Sequence, residues 1–410
     1  MKISRFVIPI LIPLVSLVFF SGCQPAEKSP STEKVLLISI DGFRHDYRQM
    51  YHTPNLDQFA DEGSQAEFLI PVFPTKTFPN HYSIATGLYT ENTGLVSNNM
   101  YDPEFDAYYS LADREAVQDA RWYEGEPIWL TAEKQEIPAA PLFWPGSEAP
   151  IGGKYASYWS PYDEDLPYKA RVDSVIHWLQ MEGETAPGFM TLYFSKVDTY
   201  GHWYGPDSDS VAVALKEVDE HLGYLIEELN RIGKQDILNI LIVSDHGMME
   251  VSEERVILLD ELIDLRDVEI TDWAPVAAIR PKPGEKEYVF GKLKASEKNY
   301  TVYLKDDLPD RYGYKNHRRV SDIVLIADPG YTITSHKRLI SADISGGTHG
   351  YDNREPEMRG IFMARGPSIK RDQKIGPVQN IHLYELMSHL LNIEPAFNDG
   401  SLDSLRQILK

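Results

Sequence analysis

The sequence predicts an α/β protein, a three-layer α/β/α sandwich around a mostly parallel central sheet, with a small α+β insertion. Three observations carry this expectation. The continuous apolar runs Val35 to Ile40, Phe189 to Phe194 and Ile237 to Val243 have the pattern of strands buried on both faces of a parallel sheet. A long amphipathic segment separates the second run from the third. Each run is followed within a few residues by Asp, or by Asp and His, and open α/β sheets collect function at the carboxyl ends of their strands.

The 410 residues suffice for one large α/β domain with insertions, and a hydrophobic content of 42% fits a packed globule. The formal charge of −22 argues against a polymeric nucleic acid partner, because counterion release needs clustered Lys and Arg. Small phosphate compounds stay compatible with it, since a few metal ions reverse the local field.

Residues 1–22 read as an export signal: Lys2 and Arg5 precede an apolar run from Phe6 to Phe20, and Ser21-Gly22 follow. That run holds two prolines and is shorter than the roughly 20 residues a membrane span needs. Cys23 is the only cysteine, so no disulfide can form within the chain. Phe20-Ser-Gly-Cys23 resembles a bacterial lipoprotein processing site, with Phe20 where Leu is usual. It implies a lipid on Cys23 and a periplasmic or outer-membrane-anchored lipoprotein of a Gram-negative-type bacterium. Cleavage would remove Lys2 and Arg5 and take the charge from −22 to −24. Residues 23–33, rich in Pro and Ser, read as the lipidated Cys and a flexible tether to a catalytic domain over 34–410.

The elements follow in order. Val35 to Ile40 is the first strand and ends in Asp41-Gly42. Residues 53–62 read as a short helix closed by Gly63. In Phe73 to Tyr82, Pro79 suits a first helical turn and places Thr77 just before the helix start. A hydroxyl there faces unpaired backbone N–H groups that favour an anion, although a plain cap is the commoner role. Gly94 to about Ala112 reads as a long loop. The aromatics of 122–129 and 143–146 are core or a stacking surface. Lys169 to Met181 is a helix. After Phe189 to Phe194, the residues Val211, Leu215, Val218, Leu222, Leu225 and Leu229 mark a helix capped by Asp207 or Ser208 and closed by Gly233. With Ile237 to Val243 this forms a βαβ unit with a right-handed crossover. Short β-like runs at 276–280, 300–304 and 323–327 define an α+β insertion over about 264–337. Gly360 to Ala364 is a strand and Ile381 to Leu391 a closing helix.

Asp41, Asp198 with His202, and Asp245 with His246 share one design, an apolar strand and then an acid with an imidazole nearby. His349 lies in a Gly-rich loop. Any one of them alone reads as a turn residue or a loop histidine; together they suggest metal binding. Carboxylate with imidazole suits zinc at about four ligands per ion, so these six residues with Thr77 would fill two Zn2+ per chain. Two ions about 4 Å apart suit phosphoryl transfer, with Thr77 as nucleophile.

These residues resemble the nucleotide pyrophosphatase/phosphodiesterase family of the alkaline phosphatase superfamily, in its compact bacterial form. The resemblance runs from about Val35 to the C-terminus. It rests on Ile40-Asp-Gly-Phe43, Phe73 to Tyr82, Thr86-Gly-Leu-Tyr89, Asn98 to Asp102, Gly125 to Trp129, Trp144-Pro-Gly-Ser147, Gly201 to Pro206, Ser244 to Gly247 and Gly347 to Gly350. It implies an alkaline-phosphatase-like fold. It also implies that Asp41, Thr77, Asp245 and His246 hold the zinc beside the nucleophile, and that Asp198, His202 and His349 hold the second. Thr77 would form the covalent intermediate, Asn98 would donate to a phosphate oxygen, and Phe78 with Tyr162 would sandwich a nucleobase. His45 and His81 would be structural or would support the ligands from behind, and Trp203 would shape the leaving-group side. Lys76 receives no role.

The expected activity is zinc-dependent cleavage of nucleotide phosphodiester and pyrophosphate bonds, releasing nucleoside 5′-monophosphates. The alternative is a phospholipid- or choline-type phosphodiesterase on the same two-metal core. The expected partners are small-molecule nucleotides and, through Cys23, a membrane; the chain is expected to be a monomer.

Overall fold

The computed structural model describes residues 33–341 and 344–410. The export signal, Cys23 and the tether up to residue 32 lie outside the described residues. Glu33, the last residue of the expected tether, is tied down: its carboxylate accepts from Asn239 Nδ2 and from Ser368 Oγ, each at 2.7 Å.

The main sheet has seven strands. In chain order they are β1 (Lys34–Ile40), β2 (Ser64–Ala66), β3 (Ala139–Pro141), β4 (Phe189–Phe194), β5 (Leu238–Val243), then β10 (Phe362–Arg365) and β11 (Gln373–Ile375), with the insertion between β5 and β10. Their order across the sheet is β11-β2-β10-β5-β1-β4-β3. Only β10 among these seven runs against the rest, pairing antiparallel with both β5 and β2. β4 and β5, expected as the two ends of one βαβ unit, are parallel but do not pair with each other. Each pairs with β1, which lies between them.

Alternation along the strands builds the three layers. Val35 and Leu37 of β1, with Leu241 and Val243 of β5, face a core that includes Ile84 of the Thr77–Thr86 helix and Leu386 and Leu390 of the Leu383–Leu391 helix. Leu36, Ile38 and Ile40, with Ile240 and Ile242, face the opposite core. There they meet the helices Pro54–Asp61, Tyr168–Gln180 and Asp209–Ile232. Asp209–Ile232 carries the Leu and Val stripe read from the sequence. Ser208 Oγ accepts from Val211 N at its start, and Gly233 closes it at φ 64°.

The insertion is a four-stranded antiparallel sheet of β6 (Val268–Asp272), β7 (Val276–Pro281), β8 (Tyr300–Leu304) and β9 (Ile323–Ala327), ordered β6-β7-β9-β8. The helix Lys286–Ala295 packs on it through Val289 and Leu293. β6 was not anticipated. Three of its five residues are half-buried and polar or mixed, so no apolar run marks it.

The stretch read as a long loop after Gly94 contains a hairpin, Asn99–Asp102 paired with Ala107–Ser110. Asp102 Oδ1 accepts from the N–H groups of Glu104 and Phe105 and nucleates its turn. Among the described residues no helix is long and apolar enough to cross a membrane.

Candidate active site

Three adjacent strands, β5, β1 and β4, end at one edge of the sheet, and this brings their terminal acids together. Asp41 follows β1 directly. Asp245 and His246 follow β5 after Ser244. β4 leads into the helix Lys196–Tyr204, whose N-terminal N–H groups on Ser195 and Lys196 donate to the Tyr168 hydroxyl at 2.9 and 2.7 Å. Asp198 and His202 sit one turn apart on that helix and share a face. The Asp41-Gly42 turn runs so close to it that a Cβ on Gly42 would stand 2.9 Å from the Asp198 Cα, and Gly42 adopts φ 67°. A glycine is required there on both counts.

The side chains form two clusters, Asp41 with Asp245 and His246, and Asp198 with His202 and His349. Within each, one ligand atom per residue lies within 4.8 Å of the others. In the first, His246 Nε2 stands 2.9 Å from Asp245 Oδ2 and 3.5 Å from Asp41 Oδ1. In the second, Asp198 Oδ1 stands 3.5 Å from His202 Nε2 and 3.7 Å from His349 Nε2. The three Nδ1 atoms are committed elsewhere, donating to Gly247 O (2.9 Å), Gly347 O (2.8 Å) and Thr75 O (2.8 Å) for His246, His202 and His349. That fixes the tautomer and turns each Nε2 lone pair into the cluster.

A cation fits these clusters. Asp41 Oδ1, Asp198 Oδ1 and Asp245 Oδ2 are buried oxygens with no hydrogen-bond donor, an arrangement that is costly unless an ion satisfies them. The separations bracket the edge of a tetrahedron with zinc–ligand bonds of 2.0–2.1 Å, about 3.3 Å. Charge points the same way. Burial, then the neighbouring Asp245 and Asp198, push the Asp41 carboxyl well above the usual range, against the Tyr193 hydrogen bond. Burial also acts to raise Asp245, but His246 and His81 outweigh it and hold that carboxyl well below. Burial, then His246 and His202, push the His349 imidazole well below its ordinary value.

Thr77 is the first residue of its helix rather than the cap. The cap position belongs to Lys76, which makes no side-chain capping bond. The Thr77 hydroxyl lies 3.2 Å from His246 Nε2 and so faces the first cluster. Asn98 enters from just before the hairpin. Its Oδ1 accepts from Phe78 N at 3.0 Å, which turns Nδ2 outward as a donor. His81 lies beneath: Ser39 Oγ and Thr77 O flank its ring at 2.8 and 2.9 Å, and Nδ1 is 3.3 Å from Asp245 Oδ2. His45 stands apart, edge-on to Phe68 at 5.9 Å.

A cavity of about 350 Å³ opens on both clusters. Thr77, Asn98, Phe78 and Tyr162 all line it, and Tyr162 is braced edge-on by Phe143 at 5.3 Å. Three further lining residues escaped sequence reasoning. Tyr193 donates its hydroxyl to Asp41 Oδ2, and Arg114 forms an ion pair with Glu148. A tyrosine inside an apolar strand needs a hydroxyl partner, and that was the one available signal. Lys76 also has a partner: it donates to the buried Asp272 carboxylate at the end of β6, which also accepts from Ser97 Oγ and Asn99 Nδ2. Trp203 is 63% exposed, stacks on Tyr200 and does not line the cavity.

Comparison with known proteins agrees with this geometry. The profile of the family described as type I phosphodiesterase / nucleotide pyrophosphatase matches residues 35–352. The chain belongs to this family. It is a hydrolase of phosphoric diester and diphosphate bonds. Among similar proteins, bis(5′-adenosyl)-triphosphatase ENPP4 of Bos taurus is 38% identical over 402 residues, covering 98% of this chain and 87% of the bovine one. Ectonucleotide pyrophosphatase/phosphodiesterase family member 5 of Homo sapiens is 37% identical over 380 residues, covering 93% of this chain and 79% of that protein. The structure of the murine family member 5, in an inactive threonine-to-alanine form in complex with AMP, superposes with a TM-score of 0.88 at 36% identity. It covers 92% of this chain and 100% of the murine one. The α/β sandwich of this phosphodiesterase is thus shared with its relatives.

Proposed function

We propose that this phosphodiesterase cleaves nucleotide phosphodiester and pyrophosphate bonds through a phospho-threonine on Thr77 and releases nucleoside 5′-monophosphates. The observation that carries the reading is the Thr77 hydroxyl, set at a helix start 3.2 Å from His246 Nε2 and next to an Asn98 amide aimed by Phe78 N. The two clusters suit two Zn2+, which when bound lower the pKa of a ligated hydroxyl or water and neutralise charge on a leaving oxygen.

Phe78 and Tyr162 supply flat apolar surface for a nucleobase, and Asn98 Nδ2 donates to a non-bridging phosphate oxygen. The Thr77 oxygen loses its proton to water and bonds to phosphorus, while the bond to the leaving oxygen breaks and that oxygen keeps the electron pair. Water then attacks the phospho-threonine, which restores the Thr77 hydroxyl and frees the monophosphate.

A diester is favoured over a monoester. Lys76 is paired with Asp272 and Arg114 with Glu148, so neither presents a bare cation to a second phosphate charge. The test compares p-nitrophenyl thymidine monophosphate, p-nitrophenyl phosphate and a p-nitrophenyl phosphocholine ester. The nucleotide diester should be the preferred substrate, and preference for either of the others overturns the reading.

The sequence motif at Phe20 to Cys23 supports a further proposal, that the mature chain is lipidated at Cys23 and works from a membrane surface in the periplasm. Mass spectrometry of the mature N-terminus checks it, and an unmodified Cys23 counts against it. A monomer is proposed with it, and sedimentation tests this.

A further inference from the structure

A substrate that reacts at phosphorus has two arms, and the cavity holding Phe78 and Tyr162 accounts for one. A second cavity of about 630 Å³ meets the same centre and shares Asn98, Leu111, His202 and His349 with the first. Its volume is that of a small-molecule site. One wall is the hairpin segment with Tyr108. The other is the insertion, with Trp273 after β6 and Arg338 from the helix His336–Ser341. The Arg338 guanidinium lies 4.8 Å from the Trp273 ring centroid, which holds a cation against an aromatic surface inside the cavity. Tyr108 is 55% exposed, and its ring is offered to solvent at the mouth.

We propose that this second cavity is the leaving-group subsite, and that it takes a phosphate-linked arm ending in a planar ring, such as a second nucleoside. Trp273 and Tyr108 give such a ring two aromatic faces. The shared residues explain the position. An in-line displacement sends the leaving oxygen away from Thr77, and His202 and His349 line both cavities, so an arm leaving on their side enters this one. The insertion is held against the catalytic turn by the buried Lys76–Asp272 pair, so the subsite wall and the nucleophile move together. The proposal rests on the nucleotide reading above and adds which leaving groups that site selects.

The test uses two substrates that transfer the same half, diadenosine triphosphate with a nucleotide arm and ATP with a pyrophosphate arm. The readout is the ratio of their kcat/KM values in the full chain, in Trp273→Ala and in Tyr108→Ala. The ratio should fall about 10-fold in each variant, the size of a lost base-on-aromatic stack. Tyr108 is exposed, so its truncation keeps the test valid should Trp273→Ala fold poorly. An unmoved ratio in Tyr108→Ala, with both substrates cleaved by the unmodified chain, overturns the subsite alone. Failure of the unmodified chain to cleave either substrate overturns the nucleotide reading and the subsite with it.

Discussion

The imidazoles of His246 and His349 lie face to face, with ring centroids 3.5 Å apart and planes 12° from parallel, although each belongs to a different acid–imidazole cluster. Two protonated rings so close would repel. Their Nδ1 atoms each donate to a backbone carbonyl, which turns Nε2 of both rings inward toward the clusters. The stack sets the spacing of the two clusters and makes them one centre.

Removing bound metal should therefore cost stability as well as activity. Stripping leaves three buried carboxylate oxygens without partners. At metal 100 times above its Kd the folded state gains about 2.7 kcal/mol, which chelation would remove. Thermal melts before and after chelation, with zinc re-addition, measure it. An apo protein that melts at the same temperature as the zinc-loaded one contradicts the fit.

Tyr193→Phe should weaken metal binding while leaving the fold intact. It deletes the hydroxyl that holds Asp41 Oδ2 and keeps the ring. Loss of such a supporting bond typically costs 10- to 100-fold in affinity. Competition with a chromophoric chelator gives the number. Unchanged affinity would show that Asp41 is placed by its strand alone.

Asp272→Ala should destabilise the protein by roughly 3–5 kcal/mol, because it strands the Lys76 ammonium in a buried site. Replacing both partners by apolar residues, Lys76→Met with Asp272→Leu, should recover much of that loss. Urea unfolding of the three variants decides. A double variant no more stable than the single one shows that Asp272 acts through Ser97 and Asn99 instead.

The hairpin beside Asn98 makes a pH prediction. Burial acts to raise the Asp102 carboxyl, but hydrogen bonds from Arg319 and Arg318 outweigh it and hold the group at about 2 against 3.8. A lowered carboxylate pKa stabilises above the unfolded value and is lost as the pH falls toward the folded one. The contribution, about 2 kcal/mol, is complete above roughly pH 5 and fades between 3.8 and about 2. The stability gap between the unmodified chain and Asp102→Asn should close as the pH falls through that window. A gap independent of pH rules the mechanism out.

The candidate centre's acids were legible because they follow strands whose apolar runs announce them, and they meet because β5, β1 and β4 are neighbours. Thr77 was legible through Pro79, although the helix starts one residue earlier than the reading placed it. What stayed hidden depends on contacts between distant residues. Asp272 lies 196 positions from Lys76 and sits on a strand without an apolar run. The hairpin that leads from Asn98 lies in a stretch of Asn, Tyr and Asp whose composition alone reads as loop, and Arg114 meets Glu148 across 34 positions.

The whole account rests on the Thr77 oxygen as the attacking group beside a centre built for two cations. The decisive measurement is the turnover of p-nitrophenyl thymidine monophosphate by Thr77→Ala, alongside its zinc content. The account predicts a fall of about a thousandfold or more with zinc retained. Turnover equal to that of the unmodified chain, with zinc present, contradicts it.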